Sequence, residues 1–358
     1  MVKLGQSFYP TLGLQRAAEQ LASAIDMGCQ DLFTSLHLPE GTTENWTEMK
    51  HLFQIAKRRG IRLCCDVSPS TFRQLEASSA NLKPFFELGI FSFRLDYGFS
   101  VDEILEISNH PDVTIVMNAS DLTETQFHVL LQKGIQVAKL TAIHNYYPRP
   151  ETGMSLTYYR EKNRFYKSYG VRTGGFIPSH TTPRGPMKEG LPSIETHRYA
   201  PVSVAVAEMV ADGLTDIIYF GDPAPANEDW NTAAGVADGT IPLRVEWAVS
   251  PGDEIVQLLR QVHTSRRDYA DFVIRSTYST AYPEPTGVAL APNHTAARPL
   301  GTITIDNTNY GRYAGELQIT KTDLSSDKRV NVIGRVITED QPLLPYITPH
   351  TRFTFQIS

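Results

Sequence analysis

At 358 residues the chain exceeds what one compact core usually holds, so a large domain followed by a smaller one is expected. Its 41% hydrophobic and 20% charged residues exclude a disordered or fibrous chain. A net charge of −6 excludes a general nucleic-acid binder, whose basic surface must displace counterions from phosphates.

Residues 3–10 read as a strand, after which Leu14, Ala17, Ala18, Leu21 and Ile25 recur at helical spacing up to Gly28. This β-then-α unit repeats along the chain. DLFTSLHLP precedes a helix near 44–59, RLCCDVSP one near 70–81, and FSFRLDYG one near 100–109. TIVMNAS precedes a helix near 122–132, VAKLTAIHNYYP one near 155–168, and RTGGFIPS one near 195–212, and DIIYFGDP closes the series. Strands alternating with helices imply parallel pairing through right-handed crossovers, and eight such units predict a closed (β/α)8 TIM barrel in the α/β class. An open doubly wound sheet would normally carry a Gly-rich phosphate turn after its first strand, and SFYPTLG is not one.

Beyond Asp222 the pattern changes. ANEDWNTAAGVADGT is polar and small, and TIPLRVEWAV alternates as an antiparallel strand would. A boundary near 238 is expected, giving a barrel over 1–238 and a smaller, mostly β domain over 239–358. The latter reads as a helix at 252–263 and strands at 272–279, 301–306, 314–320, 329–338 and 351–357.

Function in such a barrel is built on the C-terminal strand ends. Here these are polar: Ser7 and Tyr9; Ser35 and His37; Asp66 and Ser68; Arg94, Asp96 and Tyr97; Asn118 and Ser120; His144, Asn145, Tyr147 and Arg149; and Asp222. Arg94 and Asp96 leave one face of their strand, and Asp66 on the neighbouring strand offers a second inward carboxylate, as paired-carboxylate chemistry requires. A structural ion pair closing the core is the competing reading of Arg94 and Asp96. The loop SHTTPRGPMKEGLPSIETHR carries His180, Arg184, Lys188, His197 and Arg198 in an otherwise acidic chain, so an anion, above all a phosphate, is its expected ligand. The competing reading is a solvated loop whose arginines pair with Glu189 and Glu195.

No metal and no cofactor is expected, because neither H-x-H nor H-E-x-x-H spacing joins His37, His144 and Asp66. The absence of a G-x-S-x-G elbow argues against serine hydrolysis. Cys29, Cys64 and Cys65 are too few and too irregularly spaced for a disulfide framework and read as reduced core thiols. The start MVKLGQSFYP lacks a basic segment leading into an apolar one, and no run of about 18 apolar residues follows, so a cytoplasmic protein without a membrane partner is expected. In the second domain, ITIDNTNYGRYAGELQI reads as turn chemistry on a β framework, which would help cover the barrel mouth or form a homodimer interface.

Taken together, GQSFYP, LFTSLHLPE, CCDVSP, FRLDYGFS, MNAS, HNYYPRPETGMS, FIPSHTTPRGPMKEGLPSIETHR and IDNTNYGRYAGELQI resemble, in order and spacing, the 6-phospho-N-acetylmuramidase family of glycoside hydrolases. The resemblance implies a barrel followed by a cyclophilin-like domain. It also implies hydrolysis of N-acetylmuramic acid 6-phosphate-(β1,4)-N-acetylglucosamine, a phosphorylated amino-sugar disaccharide, in peptidoglycan recycling. On this reading Asp66 and Asp96 are the catalytic carboxylates, with Glu151 and Asp222 in reserve, and Asn118, His144, Asn145 and Tyr147 orient the sugar. Arg184, Arg149, Lys188, His180 and Arg198 would meet the phosphate and the lactyl carboxylate, and Ser7, Tyr9, Ser35, His37, Arg94 and Asp222 would complete the pocket. The rivals are another barrel enzyme acting on phosphosugars, an isomerase or aldolase using His144 or Lys139, and a non-catalytic sugar binder.

Overall fold

The computed structural model describes residues 2–10, 13–36, 46–95, 98–248, 250, 252–277 and 290–357. The chain divides into two compact units, Met1–Val202 with Met209–Asn231, and Ser203–Glu208 with Thr232–Ser358.

In the first unit eight parallel strands close in sequence order: β1 (Lys3–Ser7), β2 (Asp31–Ser35), β3 (Arg62–Val67), β4 (Ile90–Leu95), β5 (Thr114–Asn118), β6 (Leu140–Ile143), β7 (Arg172–Ile177) and β8 (Ile217–Pro223). β8 pairs back onto β1, so the barrel has no free edge. The helices between them are α1 (Leu14–Asp26), α2 (Trp46–Arg58), α3 (Pro69–Gln74), α4 (Lys83–Glu87), α5 (Val101–Asn109), α6 (Glu124–Gln132), α7 (Leu156–Ser168) and α8 (Val202–Val210). Capping boxes start several of them. Ser100 Oγ accepts from Glu103 N at 3.3 Å while the Glu103 carboxylate accepts from Ser100 N at 2.7 Å, and those bonds hold its pKa below the ordinary carboxylate range. Thr123 and Gln126 repeat the device at α6.

Phe33, Cys64, Val116, Ile143, Phe176, Ile217 and Tyr219 fill the barrel interior, with the Phe33 and Phe176 rings edge to face at 5.0 Å. Gly5 is required by this closure, since a Cβ there would lie 2.4 Å from the Asp31 carbonyl oxygen and 2.5 Å from the Tyr219 ring. The three cysteines are free and buried, and burial pushes the Cys64 thiol up to about 12, so it stays protonated as a packing group.

Three local expectations are corrected. The helix expected over 70–81 is two short ones, because Glu76 turns left-handed (φ 54°) and Ser78 and Asn81 bridge a turn before α4. The helix expected over 195–212 begins only at Val202, preceded by a single 3-10 turn at Glu195–His197. The polar segment after Asp222 contains a helix, α9 (Asn227–Ala237), whose Trp230, Ala233 and Val236 are buried at helical spacing among small residues.

The second unit is a curled, seven-stranded sheet. Its strands are β9 (Thr240–Trp247), β10 (His263–Thr264), β11 (Val273–Arg275), β12 (Thr302–Asp306), β13 (Leu317–Thr320), β14 (Val330–Val336) and β15 (Arg352–Ile357), ordered β10-β15-β9-β14-β12-β13-β11, with α10 (Asp253–Leu259) after β9. β9 was expected to be antiparallel; it is so toward β14 but runs parallel to β15, a pairing between distant segments that alternation cannot reveal. An isolated bridge between Ser265 and Ser276 ties the segments that follow the two edge strands.

Asp306 at the end of β12 is 3% exposed, and burial beside Glu316 raises its pKa from 3.8 to about 7. A carboxyl whose folded pKa is raised is stabilising while protonated and costs stability as pH climbs from its unfolded value through its folded one. Asp306→Asn should therefore raise the thermal midpoint relative to wild type at pH 8, with the gain vanishing near pH 4. Unfolding scans across that range check it.

Candidate active site

The centre of the barrel mouth is an ion pair. The register of β3 and β4 sets Asp66 level with Arg94, and Arg94 Nη1 lies 3.2 Å from Asp66 Oδ1, with both residues buried. Across β2 the same level carries Ser35. Arg94 Nη2 donates to Asn145 Oδ1, and Asn145 Nδ2 donates to Asp121 at 3.4 Å. Asp121 also accepts from Asn118 Nδ2 at 2.6 Å, while Asn118 Oδ1 accepts from the Ser120 amide. One network thus joins the ends of β3, β4, β5 and β6. Arg94 meets Asp66 across neighbouring parallel strands. Asp96, Tyr97 and His37 lie outside the described residues.

Several strand-end residues expected on the substrate sit deeper. Ser7, Ser35, His144 and Asp222 are at most 1% exposed, and Tyr9, at 1%, still lines the cavity that holds Arg184. Tyr9 donates its hydroxyl hydrogen to the Gly221 carbonyl at 2.9 Å, and burial raises its phenol well above the usual range. His144 lies between Ser120 Oγ (3.3 Å from Nδ1) and Asn163 Oδ1 (3.0 Å from Nε2). Burial lowers its pKa to about 3, against the opposing hydrogen bond from Asn163, so the imidazole is neutral at physiological pH. Asn145, Tyr147, Arg149 and Arg184 stand nearer solvent, with Tyr147 half-buried and its phenol raised by burial.

Asp222 organises the loop after β7. Its carboxylate accepts backbone N–H bonds from Arg184 (2.8 Å), Ser179 (3.0 Å) and Leu191 (3.0 Å); burial raises its pKa, and these bonds oppose the rise. It is an anchor beneath the loop, not an open ligand for sugar. Arg198 is likewise committed, to the Glu195 carboxylate at 2.7 Å and to the carbonyls of Tyr147, Arg149, Glu189 and Gly190. Glu195 also receives the amides of Glu151 and Gly153, and Arg198 is the main reason its pKa falls to about 2. The Glu195 pairing read as competing with anion binding is what Arg198 adopts.

Arg184 differs. Its guanidinium packs over Tyr9 (4.7 Å) and Tyr146 (5.1 Å) and donates to the Tyr146 hydroxyl at 3.0 Å. It lines a cavity of about 480 Å³ with Tyr9, Arg16, Glu19, Gln20, Thr182 and Lys188, in which three cations outnumber one carboxylate. Arg16 was not among the sequence candidates, because on the outer helix α1 it reads as an ordinary solvated charge. His180 is exposed and bonded to the Ala200 carbonyl at 3.1 Å, and Arg149 is exposed. Lys139 donates to the Ser108 and His110 carbonyls at 2.6 and 2.8 Å, just before β6 begins and so at the end opposite the mouth. The aldolase reading thereby loses its lysine. Among the described residues no cluster of three or more His, Cys, Asp or Glu could hold a metal, and no helix is long and apolar enough to cross a membrane.

An eight-stranded barrel whose mouth holds a carboxylate-guanidinium pair beside a cationic cavity is an architecture suited to an enzyme acting on an anionic small molecule. Residues 4–234 match the family described as "6-phospho-N-acetylmuramidase, N-terminal" and residues 241–356 that described as "6-phospho-N-acetylmuramidase, C-terminal", so the chain belongs to the 6-phospho-N-acetylmuramidase family. That membership supports a glycosidase-type function. Among solved structures, a conserved protein of unknown function from Enterococcus faecalis is 33% identical, with a TM-score of 0.84, and the match covers 100% of this chain and 97% of that one. An uncharacterized B. cereus protein is 26% identical, with a TM-score of 0.82, covering 99% and 100%. No curated protein matches.

If Asp222 anchors the loop, Asp222→Ala leaves two buried amides and one part-buried amide without an acceptor, at about 1–3 kcal/mol for each buried group. Limited proteolysis should then cut within 179–191 much faster than in wild type, and an unchanged cleavage rate would contradict this role.

Proposed function

We propose that this protein hydrolyses the glycosidic bond between N-acetylmuramic acid 6-phosphate and N-acetylglucosamine, in the cytoplasm, as a step in cell-wall recycling. The observation that carries the proposal is the coexistence, on one barrel mouth, of the buried Asp66–Arg94 pair and the cavity of Arg16, Arg184 and Lys188. Family membership supports a phosphorylated amino sugar as the substrate class.

The roles follow from the charges. A guanidinium beside a carboxylate favours its ionised form, so Asp66 suits the nucleophile, base or oxocarbenium stabiliser, and Asp96 takes the acid role. With the 2-acetamido group of the muramic residue as internal nucleophile, Asp66 would orient and stabilise that group instead. Asn118, Asn145 and Tyr147 face the sugar, His144 supports them from beneath, and Ser7 and Ser35 complete the floor. Arg184 and Lys188 take the phosphate with Arg16, leaving Arg149 and His180 for the lactyl carboxylate.

Asp66→Asn should lower kcat on the phosphorylated disaccharide by about 10³-fold or more with a smaller change in KM, as loss of a group that acts in the transition state does. Arg184→Ala and Lys188→Ala should each raise KM for the phosphorylated substrate about tenfold while leaving the unphosphorylated analogue unaffected. Equal effects on the two substrates would remove the phosphate assignment, and full activity of Asp66→Asn would remove the catalytic one.

A further inference from the structure

Asn145 is the joint through which Arg94 reaches beyond its own strand, and every polar group it owns is engaged. Its side-chain oxygen accepts from Arg94 and its side-chain nitrogen donates to Asp121. Its backbone carbonyl accepts from Ser193 Oγ at 2.7 Å, and its backbone N–H donates to Ser120 Oγ at 2.9 Å. Ser193 holds its carbonyl, and the Ser120 hydroxyl holds its N–H, so whatever fixes that hydroxyl helps to set its position.

That hydroxyl is fixed from below. Asn163 Oδ1, buried on α7, can only accept, so the 3.0 Å contact requires a proton on His144 Nε2. A neutral ring then leaves Nδ1 as an acceptor. Ser120 Oγ lies 3.3 Å from Nδ1 and 3.6 Å from Met154 Sδ; its single hydrogen goes to the nitrogen, the stronger acceptor of the two, and its lone pairs serve the Asn145 amide. The polarity of the chain is unidirectional, from Asn145 N–H to Ser120 to His144 to Asn163. From these contacts we infer that Ser120 and Asn163 are positioning residues which, through His144, hold Asn145 and hence Arg94 in register with Asp66. The inference rests on the glycosidase reading of Asp66 but names residues that reading does not use.

The groups facing the imidazole keep the chain in one state. Tyr159 packs on it at 4.6 Å between ring centroids, and the positive charges of Lys162 on α7 and Arg94 on β4 both disfavour a second proton. A second proton on Nδ1 would displace the Ser120 hydrogen, turning the hydroxyl away from its present donor role. A chain built to be insensitive to pH across the working range is what a fixed support requires.

Two independent readouts test this. Wild type is first assayed for release of N-acetylglucosamine from the phosphorylated disaccharide. Against that baseline Ser120→Ala lowers kcat at least about tenfold with KM changed far less, as loss of positioning does, and Ser120→Thr restores most of the loss. Asn163→Asp places a carboxylate on the ring and raises its pKa, so its kcat falls as pH drops through about 7, a limb that wild type lacks. Separately from turnover, ¹⁵N NMR of imidazole-labelled protein, with the resonances assigned against His144→Gln, finds His144 as the Nε2–H tautomer without titration between about pH 5 and 8. A folded Ser120→Ala with wild-type kcat, an unchanged pH profile in Asn163→Asp, or an Nδ1–H or titrating ring in wild type each overturns the inference. If wild type leaves the disaccharide intact, the substrate reading fails instead, and the NMR alone then decides whether the chain exists.

Discussion

The mouth of the barrel is arranged around one buried ion pair. Asp66 and Arg94 are held level by the β3–β4 register and lie 3.2 Å apart where neither has much water. Taking both charges out of water costs several kcal/mol each, repaid only when their remaining hydrogen-bonding capacity is satisfied. This constraint explains why the neighbouring strands end in amides and hydroxyls. Arg94 needs an acceptor and finds Asn145, whose amide nitrogen then needs one and finds Asp121, which Asn118 also supplies. Losing either member of the pair would leave an uncompensated charge, at about 3–5 kcal/mol.

The same logic sorts the arginines and lysines. A cation whose donors are all used by the protein cannot also serve a ligand. Arg198 is bound to Glu195 and four carbonyls, and Lys139, held by two carbonyls, stands before β6 at the end opposite the mouth. Arg184, Arg16 and Lys188 instead share a cavity, with Arg184 braced by two tyrosine rings. Asp222 sets the position of the loop that carries Arg184 by accepting its backbone N–H.

Much of this was legible in the amino-acid order, and the rest fails for identifiable reasons. Alternation of apolar strands with amphipathic helices specifies the barrel, and strand parity correctly sends Asp66 and Arg94 to the same interior. Parity gives the face but not the depth, so nothing in the amino-acid order shows that Ser7, Ser35 and His144 are almost fully buried. The anchoring role of Asp222 was not legible because its partners are backbone amides of a distant loop, which carry no sequence signal. Arg16 and Asp121 have an ordinary helix and an ordinary turn as their settings, and only the closed ring brings them to the site. The parallel pairing of β9 with β15 joins residues more than 100 positions apart.

The central claim is that this mouth cleaves a phosphorylated amino-sugar disaccharide, and the most direct measurement is a proton NMR time course of wild-type protein with N-acetylmuramic acid 6-phosphate-(β1,4)-N-acetylglucosamine. The account predicts that the interglycosidic anomeric signal decays while reducing-end signals of N-acetylmuramic acid 6-phosphate grow, the first anomer to form reporting retention or inversion. A spectrum that stays unchanged at high enzyme concentration would contradict it.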